Sequence, residues 1–391
     1  MRALLGVLLG AGLLAGCSGH SGHTEPAPVT SETAMATHQG HPAPASAQAP
    51  LPTRPGERLL TVGVPRDFTP KAPSGATDEY RCFVIDPKLD NDLSITGTQF
   101  VPGNESIVHH SILYVAYPEQ VAAARAMDAQ DDEAGYECFG GSRLPARGDA
   151  LSSLDQSDWI TAWAPGGKST TMPRGYGMTL PAGGAVVLQL HYNLAADQGP
   201  DSTQVRLRVT DKKLKPLHTM LLAAPVELPC APGQSGRLCD RVDAVDDVVS
   251  RFGAGTGATI AGLQLLCGGD PDNPKANTVQ TCDRRVNTSS TIFAVAGHMH
   301  LLGREISITL NPDTKREKVL LDIDNWDFDQ QGATPLPQPV RVEAGDVLRV
   351  RCRHDATLRD QLPALQASPD RYVVWGEGTS DEMCLGIVVN G

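Results

Sequence analysis

The chain has 391 residues, with 33 Lys and Arg against 45 Asp and Glu, for a net charge of −12. No basic cluster interrupts this acidity, which argues against a nucleic-acid partner. Nine Cys with no CxxC pair point to disulfides in an exported chain rather than to a thiolate metal site.

The first residues read as an export signal. Arg2 supplies the positive charge, and Leu4 to Leu14 an apolar run broken by Gly6, Gly10 and Gly12. This run is too short to span a bilayer as a stable helix. Leu14-Ala15-Gly16-Cys17 resembles the lipobox of bacterial lipoproteins. The resemblance implies removal of residues 1–16, lipidation of Cys17 and attachment to a membrane of the cell envelope. Ser18 rather than Asp after Cys17 implies the outer membrane or another extracytoplasmic surface. Residues 17–57 are rich in Pro, Ala, Ser, Thr, Gly and His, and cannot bury enough apolar surface to offset chain entropy. They read as a tether, and His20, His23, His38 and His41 as part of that solvated linker.

From Arg58 on, short β-branched and often alternating runs dominate. They include Leu59 to Val64, Ile107 to Val115, Ala185 to His191, Val205 to Val209, Thr291 to Val295, Ile306 to Leu310, Val340 to Val342, Val347 to Val350 and Leu385 to Val389. Helical patterns are confined to Gln120 to Asp128 and Asp243 to Phe252. The polar break Asp211-Lys212-Lys213 divides the remaining chain into 58–212 and 213–391. The expected class is all-β, with two consecutive sandwich domains.

Five of the seven His outside the tether fall in three places. In Val108-His109-His110-Ser111, consecutive side chains on a regular strand face opposite ways, so both imidazoles reach one metal only if the strand bulges or ends there. In Gln189-Leu190-His191-Tyr192, Gln189 and His191 share a face. In Gly297-His298-Met299-His300 the i, i+2 spacing sets both imidazoles on one side, a seat for a borderline or soft metal, with Met299 turned to the core. Near the C-terminus, Met383 in Asp381-Glu382-Met383-Cys384 offers a thioether, a soft ligand suited to Cu(I). His218 and His354 are assigned only to packing or surface hydrogen bonds.

Together these pieces resemble the copper type II, ascorbate-dependent monooxygenases, the family of peptidylglycine α-hydroxylating monooxygenase and dopamine β-hydroxylase. The resemblance runs from about Tyr80 to the C-terminus and includes Ala162-Trp163-Ala164-Pro165-Gly166 and His298-Met299-His300-Leu301-Leu302-Gly303. It implies two jelly-roll-like domains and two copper ions facing each other across a solvent-filled cleft. His109, His110 and His191 would hold the electron-supplying copper, and His298, His300 and Met383 the copper where O2 is activated. Ascorbate or another one-electron reductant would be the co-substrate, and Gln189 would help to orient a substrate or a water. Disulfides Cys82–Cys138 and Cys352–Cys384 match the family. The second closes a loop about the Met383 strand, worth about 3–4 kcal/mol on the chain-entropy model. Cys230–Cys239 and Cys267–Cys282 follow from proximity alone.

The peptide-amidating members hold a peptide carboxylate with an Arg, an Asn and a Tyr. The matching positions here are Ala296, Leu385 and Ile387, all apolar, so a carboxylate substrate is not expected. Stretches 128–144 and 230–274 look inserted and able to reshape the cleft. The leading reading is a monooxygenase that hydroxylates a C–H bond of a small extracellular molecule with O2. The alternative is a non-catalytic copper-binding lipoprotein, a chaperone or scavenger. A zinc hydrolase fits poorly, because Met is a poor zinc ligand.

Overall fold

The computed structural model describes residues 49–391 apart from 66, 73–76, 149–156, 166, 195–196, 329 and 367. The export signal, Cys17 and the four tether His lie outside the described residues.

The first sandwich has two sheets. One orders Arg58–Gly63, Gln204–Thr210, Leu93–Val101, Tyr176–Leu180 and Lys215–Pro216, with Thr170–Thr171 against Leu93–Val101. The other orders Tyr136–Glu137, Asp78–Ile85, Ala185–Asn193, Val108–Ala116 and Trp159–Trp163. Fully buried Phe83, Leu188 and Leu190 from the second sheet pack against Ile95 and Leu207 from the first. Ala185–Asn193 is buried on both faces because it is central and covered twice. Its outer face meets Ala124 of helix Pro118–Asp128 and the Cys82–Cys138 disulfide. Pro118 starts that helix, where a missing N–H costs nothing, and Gln120 Oε1 accepts from the Tyr117 backbone N–H at 2.9 Å.

In the second sandwich, His218–Ala224, Cys384–Asn390, Ser290–His298 and Thr334–Val342 form one sheet. Val279–Arg285, Val347–His354, Gly303–Leu310 and Lys318–Ile323 form the other. Leu222, Ile292 and Val388 face Ile306, Ile308 and Val350 across the core, all of them fully buried. Disulfide Cys352–Cys384 joins the two sheets. The fold is therefore all-β, with its helices in the connections.

One of those connections departs from expectation. Helix Arg241–Phe252 is close to the expected stretch, and Asp240 caps it by accepting from Val242 N–H at 2.8 Å. A second helix, Ala254–Leu266, follows at once, where only loop was expected. Gly255, Gly257 and Gly262 weaken its local propensity, so packing rather than sequence pattern forms it. A Cβ on Gly257 would lie 3.1 Å from Val249, which lets the two helices close tightly. Cys267–Cys282 then fastens the end of this hairpin to strand Val279–Arg285, and Cys230–Cys239 closes its entry.

Two outcomes follow for the first sandwich. Leu188→Ala empties the centre of a double-covered strand and should lower the unfolding free energy of this domain by about 2–5 kcal/mol in a denaturant titration. Glu79 is the second case: burial pushes its carboxyl up to about 7, against the pull of the Lys71 backbone N–H and of Arg81. Between pH 4.5 and about 7 the folded chain keeps a proton that the unfolded chain releases, so this group makes stability fall as pH rises through that window. Thermal melts of Glu79→Gln should match the parent below the window and exceed it above.

Candidate metal centre

Strand Val108–Ala116 pairs with Ala185–Asn193, and the register shifts between Val108 and His110, leaving His109 as a bulge. The extra residue cancels the usual alternation, so His109 and His110 turn to the same side. His191 is the cross-strand partner of His110. Its Nδ1 lies 3.1 Å from His110 Nδ1 and 3.4 Å from His109 Nδ1. One ligand atom from each ring lies within 4.8 Å of the other two, close enough to share a metal ion.

Behind this triad stands Asp78, whose Oδ1 is 2.8 Å from His191 Nε2. The carboxylate keeps the proton on Nε2, and the Nδ1 lone pair faces the other imidazoles. Burial raises the Asp78 carboxyl, but the hydrogen bond and charge of His191 outweigh it and hold the group below the usual carboxylate range. Tyr80 stacks on His191 with centroids 4.1 Å apart, and Phe328 stacks on His109 at 4.8 Å.

A second imidazole pair forms where strand Ser290–His298 ends. His298 and His300 have ring centroids 5.2 Å apart. His298 Nδ1 is bonded to Gln331 Oε1, and His300 Nδ1 lies 3.2 Å from the carbonyl of Asp381. Both Nδ1 atoms therefore donate, and both Nε2 atoms carry the lone pair a metal would use. Met299 is fully buried on the other side. Gly303 is required beside it, since a Cβ there would lie 2.8 Å from both Met299 and Trp326. Met383 directly precedes strand Cys384–Asn390, on which Leu385 pairs with His298. The backbone N–H groups of His300 and Met383 both donate to Glu382 Oε2, at 2.9 and 3.2 Å.

The two groups meet. His110 and His298 have ring centroids 6.1 Å apart. A wide cleft is not found there: His109, His191, His300 and Met383 are buried, and His110 and His298 half-buried. The reason is the connection from Lys318–Ile323 to Thr334–Val342, which brings Trp326, Phe328 and Gln331 over the imidazoles. Phe328 lies 4.8 Å from His109 and 6.3 Å from His300, and so touches both groups. Burial, and then the neighbouring imidazoles, hold His110 well below the ordinary histidine value and His298 down to about 4. His300 is lowered by burial as well. At neutral pH these three rings are neutral, the form that ligates.

Other singled-out residues lie elsewhere. Gln189 is buried, but its amide donates to the Cys138 carbonyl at 2.9 Å and accepts from Tyr114 OH at 3.2 Å. These bonds tie it to the Cys82–Cys138 disulfide and give no support to a substrate-orienting role. His218 is half-buried at the head of its strand. His354 is buried beneath Met383, a place the sequence reading did not foresee. Stretches 128–144 and 230–274 meet around a cavity of about 570 Å³ that includes Phe139, Arg143, Arg251, Phe252, Trp375 and Glu377. Tyr80 links this cavity to the triad, since it donates to the Glu377 carbonyl at 2.9 Å while stacking on His191.

Asp78, Tyr80, Phe328 and Gln331 were also not foreseen. Only Phe328, an aromatic close to Trp326 in an otherwise polar stretch, left a signal in the sequence. Replacing Asp78 by Asn frees the His191 tautomer, and copper titration of the triad should show affinity about 10–100-fold lower.

Residues 270–389 match the family model described as "Copper type II ascorbate-dependent monooxygenase, C-terminal domain". The human protein "DBH-like monooxygenase protein 1" is 23% identical over 288 residues, which are 73% of this chain and 40% of that protein. The chain thus spans about two fifths of the length of this curated relative. Among solved structures, the major capsid protein P2 of bacteriophage PM2 aligns at 10% identity over 85% of this chain and 97% of its own, with a TM-score of 0.29. Allantoicase from Saccharomyces cerevisiae aligns at 8% identity over 82% of this chain and 80% of its own, with a TM-score of 0.18. Scores this low carry no argument. The sequence match does: residues 270–389, which carry His298, His300 and Met383, are similar to the C-terminal domain of the copper type II, ascorbate-dependent monooxygenases.

Proposed function

We propose that this chain is a copper monooxygenase that hydroxylates a C–H bond of a small extracellular substrate, with O2 and an external one-electron reductant such as ascorbate. The observation that carries this reading is the meeting of two donor groups of different chemistry, three imidazoles at one and two imidazoles with a neighbouring Met383 at the other. The donors fit copper. Buried neutral imidazoles suit both Cu(I) and Cu(II), and a thioether adds the soft donor that favours Cu(I).

Bound copper would supply one-electron redox chemistry and the reduction of O2. The overall change, R–H + O2 + 2 e⁻ + 2 H⁺ → R–OH + H2O, needs two electrons, and two one-electron sites match that count. The chain's own part is to position donors and to exclude water. Asp78 fixes His191, Gln331 and the Asp381 carbonyl fix His298 and His300, and Phe328 closes the space between the groups. Ala296 and Leu385 are buried, and Ala296 pairs directly with Ile387, so the positions that would read a carboxylate offer none of the charge it needs. A neutral or apolar substrate fits. The protein would act in the cell envelope, lipid-anchored through Cys17.

A non-catalytic copper-binding lipoprotein is the second reading, and the engagement of Gln189 by Cys138 and Tyr114 favours it. One experiment separates the two: copper stoichiometry and X-ray absorption of the reduced full chain, alongside O2 uptake with ascorbate and a panel of small apolar compounds. Two coppers, a sulfur scatterer that disappears in Met383→Ile, and substrate-dependent O2 uptake are expected of the enzyme. Two coppers with no uptake beyond the background oxidation of ascorbate would leave the binding protein. One copper would sink the enzyme and leave the binding protein, and no copper would sink both.

A further inference from the structure

Glu382 is fully buried, and its carboxylate is the meeting point of the second donor group. Oε2 accepts from His300 N–H at 2.9 Å and from Met383 N–H at 3.2 Å, while Oε1 accepts from Leu302 N–H at 2.6 Å. One side chain therefore clamps the turn that carries the imidazoles to the strand that carries the thioether. These two segments lie about eighty residues apart in sequence, so no local geometry can hold their spacing.

The carboxylate is itself held. His354 Nε2 lies 3.2 Å from Glu382 Oε2 and 3.2 Å from the Met383 carbonyl. On the other edge of the ring, His354 Nδ1 lies 2.7 Å from Gln280 Oε1. Gln280 cannot reverse its amide cheaply, because its Nε2 donates to the Asn277 carbonyl. Both edges of His354 thus face acceptors, and the ring acts as a donor toward Glu382. Breaking a buried pair of this kind from one side is costly, because the remaining partner is left without its counterpart.

We propose that Glu382, held by His354, is the positioning residue of the His298/His300/Met383 group and sets its affinity and thioether ligation. The inference rests on the copper reading above, and it assigns His354 a place that packing alone does not explain. Outer groups of this kind typically contribute 10–100-fold in metal affinity. Three hydrogen bonds from the very segments that bear the donors suggest an effect in that range.

The test is competition of the full chain with a Cu(I) chelator, with the second-site step identified as the one lost in Met383→Ile. In Glu382→Gln, the second step should weaken by about 10–100-fold while the first holds, and the sulfur contribution to X-ray absorption of the Cu(I) form should shrink. His354→Leu should do the same, and His354→Gln, which keeps a donor toward Glu382, should recover most of the affinity. A merely structural role would lower the melting temperature without moving the second step alone. Parental affinity and parental sulfur signal in both Glu382→Gln and His354→Leu would overturn the proposal. If Glu382→Gln does not fold, the contrast between the two His354 variants decides. A parent that binds no Cu(I) at the second group would overturn the copper reading itself, an outcome distinct from unaffected variants.

Discussion

A single extra residue in strand Val108–Ala116 is the constraint on which the first donor group rests. Without it, His109 and His110 would point to opposite faces and only one could join His191. A bulge is stable only where its neighbours hold it, and here the neighbours are rigid. Ala185–Asn193 is covered on both faces, Asp78 grips His191 from the adjacent strand, and Cys82–Cys138 locks that strand to the outer layer. The position of the second group follows from a different kind of restraint. Its imidazoles leave the end of a strand, and cross-chain hydrogen bonds rather than a sheet register define where they go.

This contrast decides what could be read from the sequence. Features that depend on neighbours within a few residues were legible: the strand character of most segments, the shared side of His298 and His300, the inward Met299, and the need for a bulge at His109–His110. The pairing of Cys267 with Cys282 is also local, at a separation of 15 residues. What was not legible depends on distant contacts. Gln331, Phe328 and Asp78 lie between 28 and 219 positions from the rings they touch, and no periodicity links them. Helix Ala254–Leu266 was missed for the opposite reason, because its glycines contradict the helix locally and serve close packing instead. His354 looked like a surface residue in a polar hairpin. Its charged neighbours Arg353 and Asp355 are solvent-facing, while the strand pleat turns His354 inward.

The closeness of the two groups changes how the family's expected architecture is pictured. With His110 and His298 only 6.1 Å apart and Phe328 within reach of both groups, the space is a close contact rather than a wide gap. Segment 377–383 reinforces that contact: it reaches Tyr80 through the Glu377 carbonyl, Asp78 through Thr379, and His300 through the Asp381 carbonyl. Asp381 is in turn gripped by Arg251 from helix Arg241–Phe252, with contacts at 2.7 and 2.9 Å. The helical hairpin therefore buttresses the chemistry from behind, and its disulfides stiffen the buttress.

The two groups also present different nitrogens. In the triad the inward atoms are Nδ1, bonded to the ring carbon that joins Cβ, whereas His298 and His300 offer Nε2 at the far edge of the ring. A donor on a short arm moves little when its ring tilts, and a donor on a long arm sweeps a wider path. The triad thus presents its donors on short arms, and the second group on long arms that the bonds to Gln331 and the Asp381 carbonyl steady. On the reading proposed above, short arms would suit a copper that only passes charge, and long arms one that must also admit a third molecule.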